Sequence, residues 1–143
     1  MNGDRGQALV IAALLIGIGA VAVVGLRAAQ DRVLASAVEQ DAGEAAIEAA
    51  AAVVADAYVA HLESVRDRTF DVPRPTADVA AVLADPATRE AARAAAGELA
   101  ALNGAVFIGV IDARCSGRTI EIELRHAGRL HRAALEAQAC SPR

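Results

Sequence analysis

From Gln7 to Leu26 the chain runs for twenty residues without a charged side chain, and no other feature limits its fold so strongly. As a helix rising about 1.5 Å per residue, that run is about 30 Å long, the thickness of a bilayer's hydrocarbon core. Leu, Ile, Val and Ala fill it, and its glycines (Gly17, Gly19 and Gly25) are compatible with a membrane helix. Asp4 and Arg5 precede it and Arg27 follows it. A helix buried in a soluble core would need cover on every side, and a chain of 143 residues has too little left to provide it. A cleaved signal peptide has a shorter apolar region, of about 7–15 residues, ending at a small-x-small site. Here the triplet Ala20-Val21-Ala22 lies inside the run. The reading is an uncleaved transmembrane helix over 7–26, with 1–6 as a short tail.

The rest of the chain has little bulk with which to build a core. Alanine occupies 38 positions, while Phe occurs twice, Tyr once and Trp not at all. Aromatics usually supply much of a core's buried area, so this core must be thin and aliphatic. All 14 basic residues are arginine, and the net charge of -4 lacks the basic footprint of a nucleic-acid-binding protein. The charges flanking the apolar run are nearly balanced and encode orientation weakly. Two cysteines far beyond it point to a disulfide in an oxidising compartment. That places the N-terminus in the cytoplasm and residues 27–143 outside, in an α+β arrangement.

Residues 27–68 read as one long helical stalk with a single glycine, Gly43. Spacings of three and four align Val33, Ala37, Ile47, Ala51, Val54, Tyr58 and Val65 in one seam. Gln40, Glu44 and His61 interrupt that seam, as a dry coiled coil would not. The distal half is expected to pack on its own domain and the proximal half to be solvated; a second copy joined along the seam is the other possibility. Asp71-Val72-Pro73-Arg74-Pro75 ends the helix and opens a linker-and-helix region over 69–104. Thr76 or Asp78 caps a short helix through Leu83, Asp85-Pro86 starts the next, and Asn103-Gly104 stops it.

After residue 104 the apolar period falls to two. Val106–Ile111 reads as a buried strand, and Arg114-Cys115-Ser116-Gly117 as a turn. Thr119–Arg125 alternates, with Ile120, Ile122 and Leu124 on one face and Glu121, Glu123 and Arg125 toward water. Ala127-Gly128 turns the chain again. Residues 130–139 alternate but are rich in helix formers, so strand and helix both remain open. A two-residue turn at 127–128 makes opposed residue numbers sum to 255, as Cys115 and Cys140 do. That coincidence favours a third strand and a Cys115–Cys140 bond pinning region 105–143.

No catalytic or cofactor-binding constellation is legible. His61, His126 and His131 have no metal-ligand spacing and read as surface histidines. Glu121 and Glu123, about 7 Å apart on one strand face, read as part of a salt-bridged surface rather than an acid–base pair. Ser36, Ser64, Ser116 and Ser141 lie in no nucleophile elbow. Asp41, Glu44 and Glu48 form an acidic, solvated helix face. Ala13, Gly17 and Gly25 form a small-residue row within the apolar run, with Ala8 and Ala12 starting another, and such rows permit close helix packing.

The opening Gly3-Asp4-Arg5-Gly6-Gln7-Ala8-Leu9-Val10, the aliphatic span, and then Arg27-Ala28-Ala29-Gln30-Asp31-Arg32 resemble the TadE/TadG-like proteins of bacterial tight-adherence (Flp-type) pilus systems. In that family a membrane helix continues into an exported helix before a small sheet-containing domain. The resemblance implies a candidate prepilin-peptidase junction at Gly6 and Gln7. The family's cleaved substrates usually carry a glutamate five residues after the cut, where this chain has Ile11. An apolar side chain cannot neutralise a new terminal ammonium, so the anchor is expected to stay whole. The resulting expectation is a minor pilin or accessory component acting structurally, with membrane lipid and other pilus or secretion membrane proteins as partners and no cofactor. The alternative is a secreted or tethered ligand-binding domain unrelated to pili.

Overall fold

The computed structural model describes residues 3–68, 78–107 and 109–140. The fold is α+β: helices α1 (Gly3–Asp67), α2 (Val79–Ala84) and α3 (Pro86–Leu102), then strands β1 (Gly109–Ser116), β2 (Thr119–His126) and β3 (Arg129–Glu136), and a 3-10 turn over Gln138–Cys140. They fall into two compact units, Met1–Ala37 and Val38–Arg143. The proline linker at residues 71–75, Thr76 and Ile108 lie outside the described residues.

Local chemistry sets the boundaries of the short helices. The Asp78 carboxylate accepts from the Ala81 amide at 3.1 Å and starts α2. Asp85 Oδ2 accepts from both the Thr88 amide and the Thr88 hydroxyl at 2.9 Å, and Pro86 occupies the first position of α3. The Thr88 amide, chiefly, holds the Asp85 carboxyl below the usual carboxylate range. This cap is therefore present at neutral pH and is lost as pH falls through the lowered value. At its other end α3 closes with the Gly104 amide on Ala101 O and the Ala105 amide on Ala100 O, both at 3.0 Å, around Gly104 at φ +80°. Arg68 Nε, on Ser64 O at 3.0 Å, caps the end of α1 in the same spirit.

The sheet is antiparallel in the order β1-β2-β3. Residues 130–139 resolve as strand as far as Glu136, and every opposed pair from Thr119↔Glu136 to His126↔Arg129 sums to 255. The Ala127-Gly128 turn has φ of +48° and +77°, the type I′ pattern that matches strand twist. Alanine is a poor occupant of its first position. Ala127→Asn is expected to stabilise the fold by about 0.5–1 kcal/mol, read as an equal rise in the free energy of global amide exchange across β2.

The first strand departs from expectation. It begins at Gly109 rather than Val106, and Arg114, Cys115 and Ser116 continue it instead of turning. The turn is only Gly117 and Arg118, with Gly117 at φ +60°, so the ladder extends to Ser116↔Thr119. Phe107 is not a strand residue; its ring stacks on His126 with centroids 5.8 Å apart. Gly109 makes room for this, since a Cβ there would lie 2.6 Å from Phe107 Cζ and 2.8 Å from Arg125 O.

One face of the sheet and three helical rows form the core of the second unit. Ile120, Ile122 and Leu124 are fully buried, and each stabilises by roughly 1.5–3 kcal/mol. The helices contribute mostly alanine: Ala42, Ala46 and Ala50 from α1, and Ala92, Ala96 and Ala100 from α3. The proposed seam is thereby revised. Ile47, Ala51 and Val54 are covered by the chain's own domain, Tyr58 and Val65 are half-buried, and Val33 and Ala37 stay exposed. Gln40, on the seam, is exposed; it accepts from Arg129 of β3 at 3.0 Å and donates to Glu44 at 3.2 Å.

Candidate functional site

In the first unit, every Leu, Ile and Val from Leu9 to Leu26 leaves more than half its surface uncovered. That is a heavy free-energy cost in water and none in lipid. The helix thus contains a stretch long and apolar enough for a single membrane span. Ala13, Gly17 and Gly25 lie in it, all exposed, and a Cβ at Gly17 or Gly25 would meet nothing within 4 Å. Gly6 and Gln7 fall inside the first turns of α1, with Gln7 exposed. Ile11 is 55% exposed.

In the second unit, Cys115 and Cys140 are bonded, with Cα atoms 5.3 Å apart. The expected bond is present, but the β2–β3 ladder is not what aligns the two cysteines. That ladder stops at Thr119↔Glu136, and Cys115 stands on β1 across the sheet from β3. What brings Cys140 over is the chain after β3. The Ala137 amide donates to Arg118 O at 2.8 Å, and the 3-10 turn then carries Cys140 past the start of β2.

The histidines are less exposed than expected: His126 is buried, while His61 and His131 are half-buried. His126 is 3% exposed, and the Nε2 atoms of His61 and His131 are buried as well. The signal was available: His126 continues the Ile120, Ile122, Leu124 alternation, and His131 opposes Leu124. His131 also accounts for the lone glycine of the distal helix. A Cβ on Gly43 would overlap the His131 ring, reaching 2.6 Å from Cε1. Gly43→Ala should gain about 1 kcal/mol of helix propensity and lose about 2 kcal/mol to overpacking, a net destabilisation near 1 kcal/mol. In a His131→Ala background the same substitution should stabilise, and a cycle of thermal melts of the four variants would show that reversal of sign.

The outer face carries the expected ion pairs, with partners that alternation alone did not identify. Arg114 reaches Glu121 at 3.1 Å and Glu123 at 3.3 Å, and Arg132 reaches Glu123 at 3.1 Å, whereas Arg125 stays exposed. Hydrogen bonds from Ser116 and then Arg114 lower the Glu121 carboxyl, and Glu121 in turn raises Arg114. Pairs this exposed contribute little. Among the described residues no group of three or more His, Cys, Asp or Glu side chains converges on a common point.

A cleft of about 250 Å³ lies against β1, an outer strand of the sheet, and is lined by Val110, Ile111 and Ala113, by Val54 of α1, and by Leu83, Arg89 and Arg93. Sequence reasoning missed it. The i, i+4 spacing of Arg89 and Arg93 was visible, but not the strand that α3 lies beside. No protein-family model, curated protein or solved structure matches the chain.

Proposed function

We propose that this chain is a single-pass membrane-anchored minor pilin or accessory component of a tight-adherence-type pilus or secretion system, acting structurally. The N-terminus is inside and the sheet-bearing unit outside. The observation that carries the reading is the uncovered apolar stretch of α1, which needs lipid, in a chain whose other unit holds a paired cystine. The TadE/TadG-like opening at Gly3–Val10 supplies the system, and Ile11 favours an anchor that keeps its first six residues. The salt-bridged outer face of the sheet, with Arg114 and Arg132 on Glu121 and Glu123, suits a scaffolding role.

Mass spectrometry of the protein from native membranes, without reductant, tests the anchor: the expected mass begins at Met1 and lacks two hydrogens. In-membrane photocrosslinking from Ala13 tests the assembly, with pilus or secretion membrane proteins as expected products. A protein free in the cytosol with two titratable thiols overturns the anchor, and an isolated monomer in the membrane overturns the assembly role.

A further inference from the structure

We propose that the cleft along β1 takes an extended, acidic segment of a partner protein, which adds to the sheet as a fourth strand. Ser116↔Thr119 flanks a two-residue turn and is therefore a hydrogen-bonded pair, so bonding alternates back along β1 through Arg114, Asp112 and Val110. Ile111 and Ala113 are left with N–H and C=O groups directed away from β2, and no described residue outside the ladder bonds them. Val110 and Ile111 are consecutive and point to opposite faces of the sheet, yet both line the cleft. β1 is an outer strand of the sheet, so the cleft that these residues line with Leu83 and Val54 lies beside a strand with an unpaired edge. A strand laid there would gain main-chain hydrogen bonds from β1 and set alternate side chains against the apolar wall at Leu83 and Ala92.

Size and charge narrow the occupant. About 250 Å³ falls below the roughly 300–1,000 Å³ of sites that enclose a whole small ligand, and suits one or two side chains of a longer segment. The charged residues lining the cleft are Arg89 and Arg93. Arg89 spends its Nε on Leu83 O at 2.9 Å and keeps its terminal nitrogens, while Arg93 is exposed and pairs with no described residue. Two guanidiniums one helical turn apart, with no lining carboxylate, fit an internal Glu or Asp of the incoming strand. The inference concerns the second unit alone and does not rest on the pilus reading.

The test uses the full chain in detergent micelles with two C-terminally amidated, fluorescein-labelled hexapeptides. Both alternate valine and threonine; one carries a central glutamate and the other a lysine. The glutamate peptide is expected to bind at least tenfold more tightly and to slow amide exchange at Ile111 and Ala113. Arg93→Glu should invert the preference. Ala113→Pro removes an outward N–H without touching the ladder and should abolish binding of both peptides while β2 keeps its protection. Failure of both peptides to bind, equal binding, or unchanged exchange at Ile111 and Ala113 overturns the proposal. So does full displacement by free glutarate, which would make this a site for a small carboxylate.

Discussion

Ile122→Ala is expected to cost about 3–4 kcal/mol, near the upper part of the range for deleting a buried aliphatic side chain. The reason lies in its neighbours. Ile122 is fully buried at the middle of the central strand, and its cross-strand partners are Ala113 and Ala133. Ile120 stands between Cys115 and Leu135, and Leu124 between Ile111 and His131, so larger groups flank both. Truncating Ile122 leaves three alanines in a row facing the alanine-lined helices, and none can reach into the space. The site cannot collapse, so the cavity term adds in full to the lost transfer term. Val110→Ala is the control: Val110 is 64% exposed, and the change should stay within about 0.5 kcal/mol. Hydrogen exchange of the β2 amides measures both in the intact chain. Equal effects at the two positions would mean that the core does not lie where the sheet places it.

The same alanine richness explains what could be read in advance and what could not. Asp85-Pro86, Asn103-Gly104 and the alternation of Ile120, Ile122 and Leu124 are local signals, carried by a capping carboxylate, a left-handed glycine and a period of two. All three appear as read. The packed face of α1 was not legible. With 38 alanines in the chain every helical face resembles an apolar stripe, and Val33 drew the seam toward a surface that nothing covers. The start of β1 was hidden because Val106–Ile111 is apolar without alternation, so periodicity marks no boundary. Its true position depends on Phe107 folding back onto His126, a contact across nearly the whole hairpin. The fit of Gly43 to His131 and the lining of the β1 cleft by α3 are longer-range still. Both arise from how elements meet, which no local pattern records.

Breaking the Cys115–Cys140 bond should cost about 3.5 kcal/mol, the loop-closure value for residues separated by 25 positions. A unit whose largest fully buried side chains are two isoleucines and a leucine has little margin for a loss of that size. The bond ties the end of β1 to the chain beyond β3, so it links the outer strands of the sheet across β2, which neither could do through the ladder. Two mechanisms would leave different traces. If the bond acts by restricting the unfolded chain, reduction lowers the exchange free energy of every globally exchanging amide in β1, β2 and β3 by the same amount. If it acts only by holding the 3-10 turn in place, the loss stays at the Ala137 and Cys140 amides, which donate to Arg118 O and Ala137 O. The burial of Ile120, Ile122 and Leu124 in one cluster with Cys140 favours the global result, because the sheet and the turn share one core. Cys115→Ala is the suitable variant, since Cys115 is exposed and its truncation opens no cavity. It should reproduce the effect of reductant on the unaltered protein, and adding reductant to the variant should do nothing more.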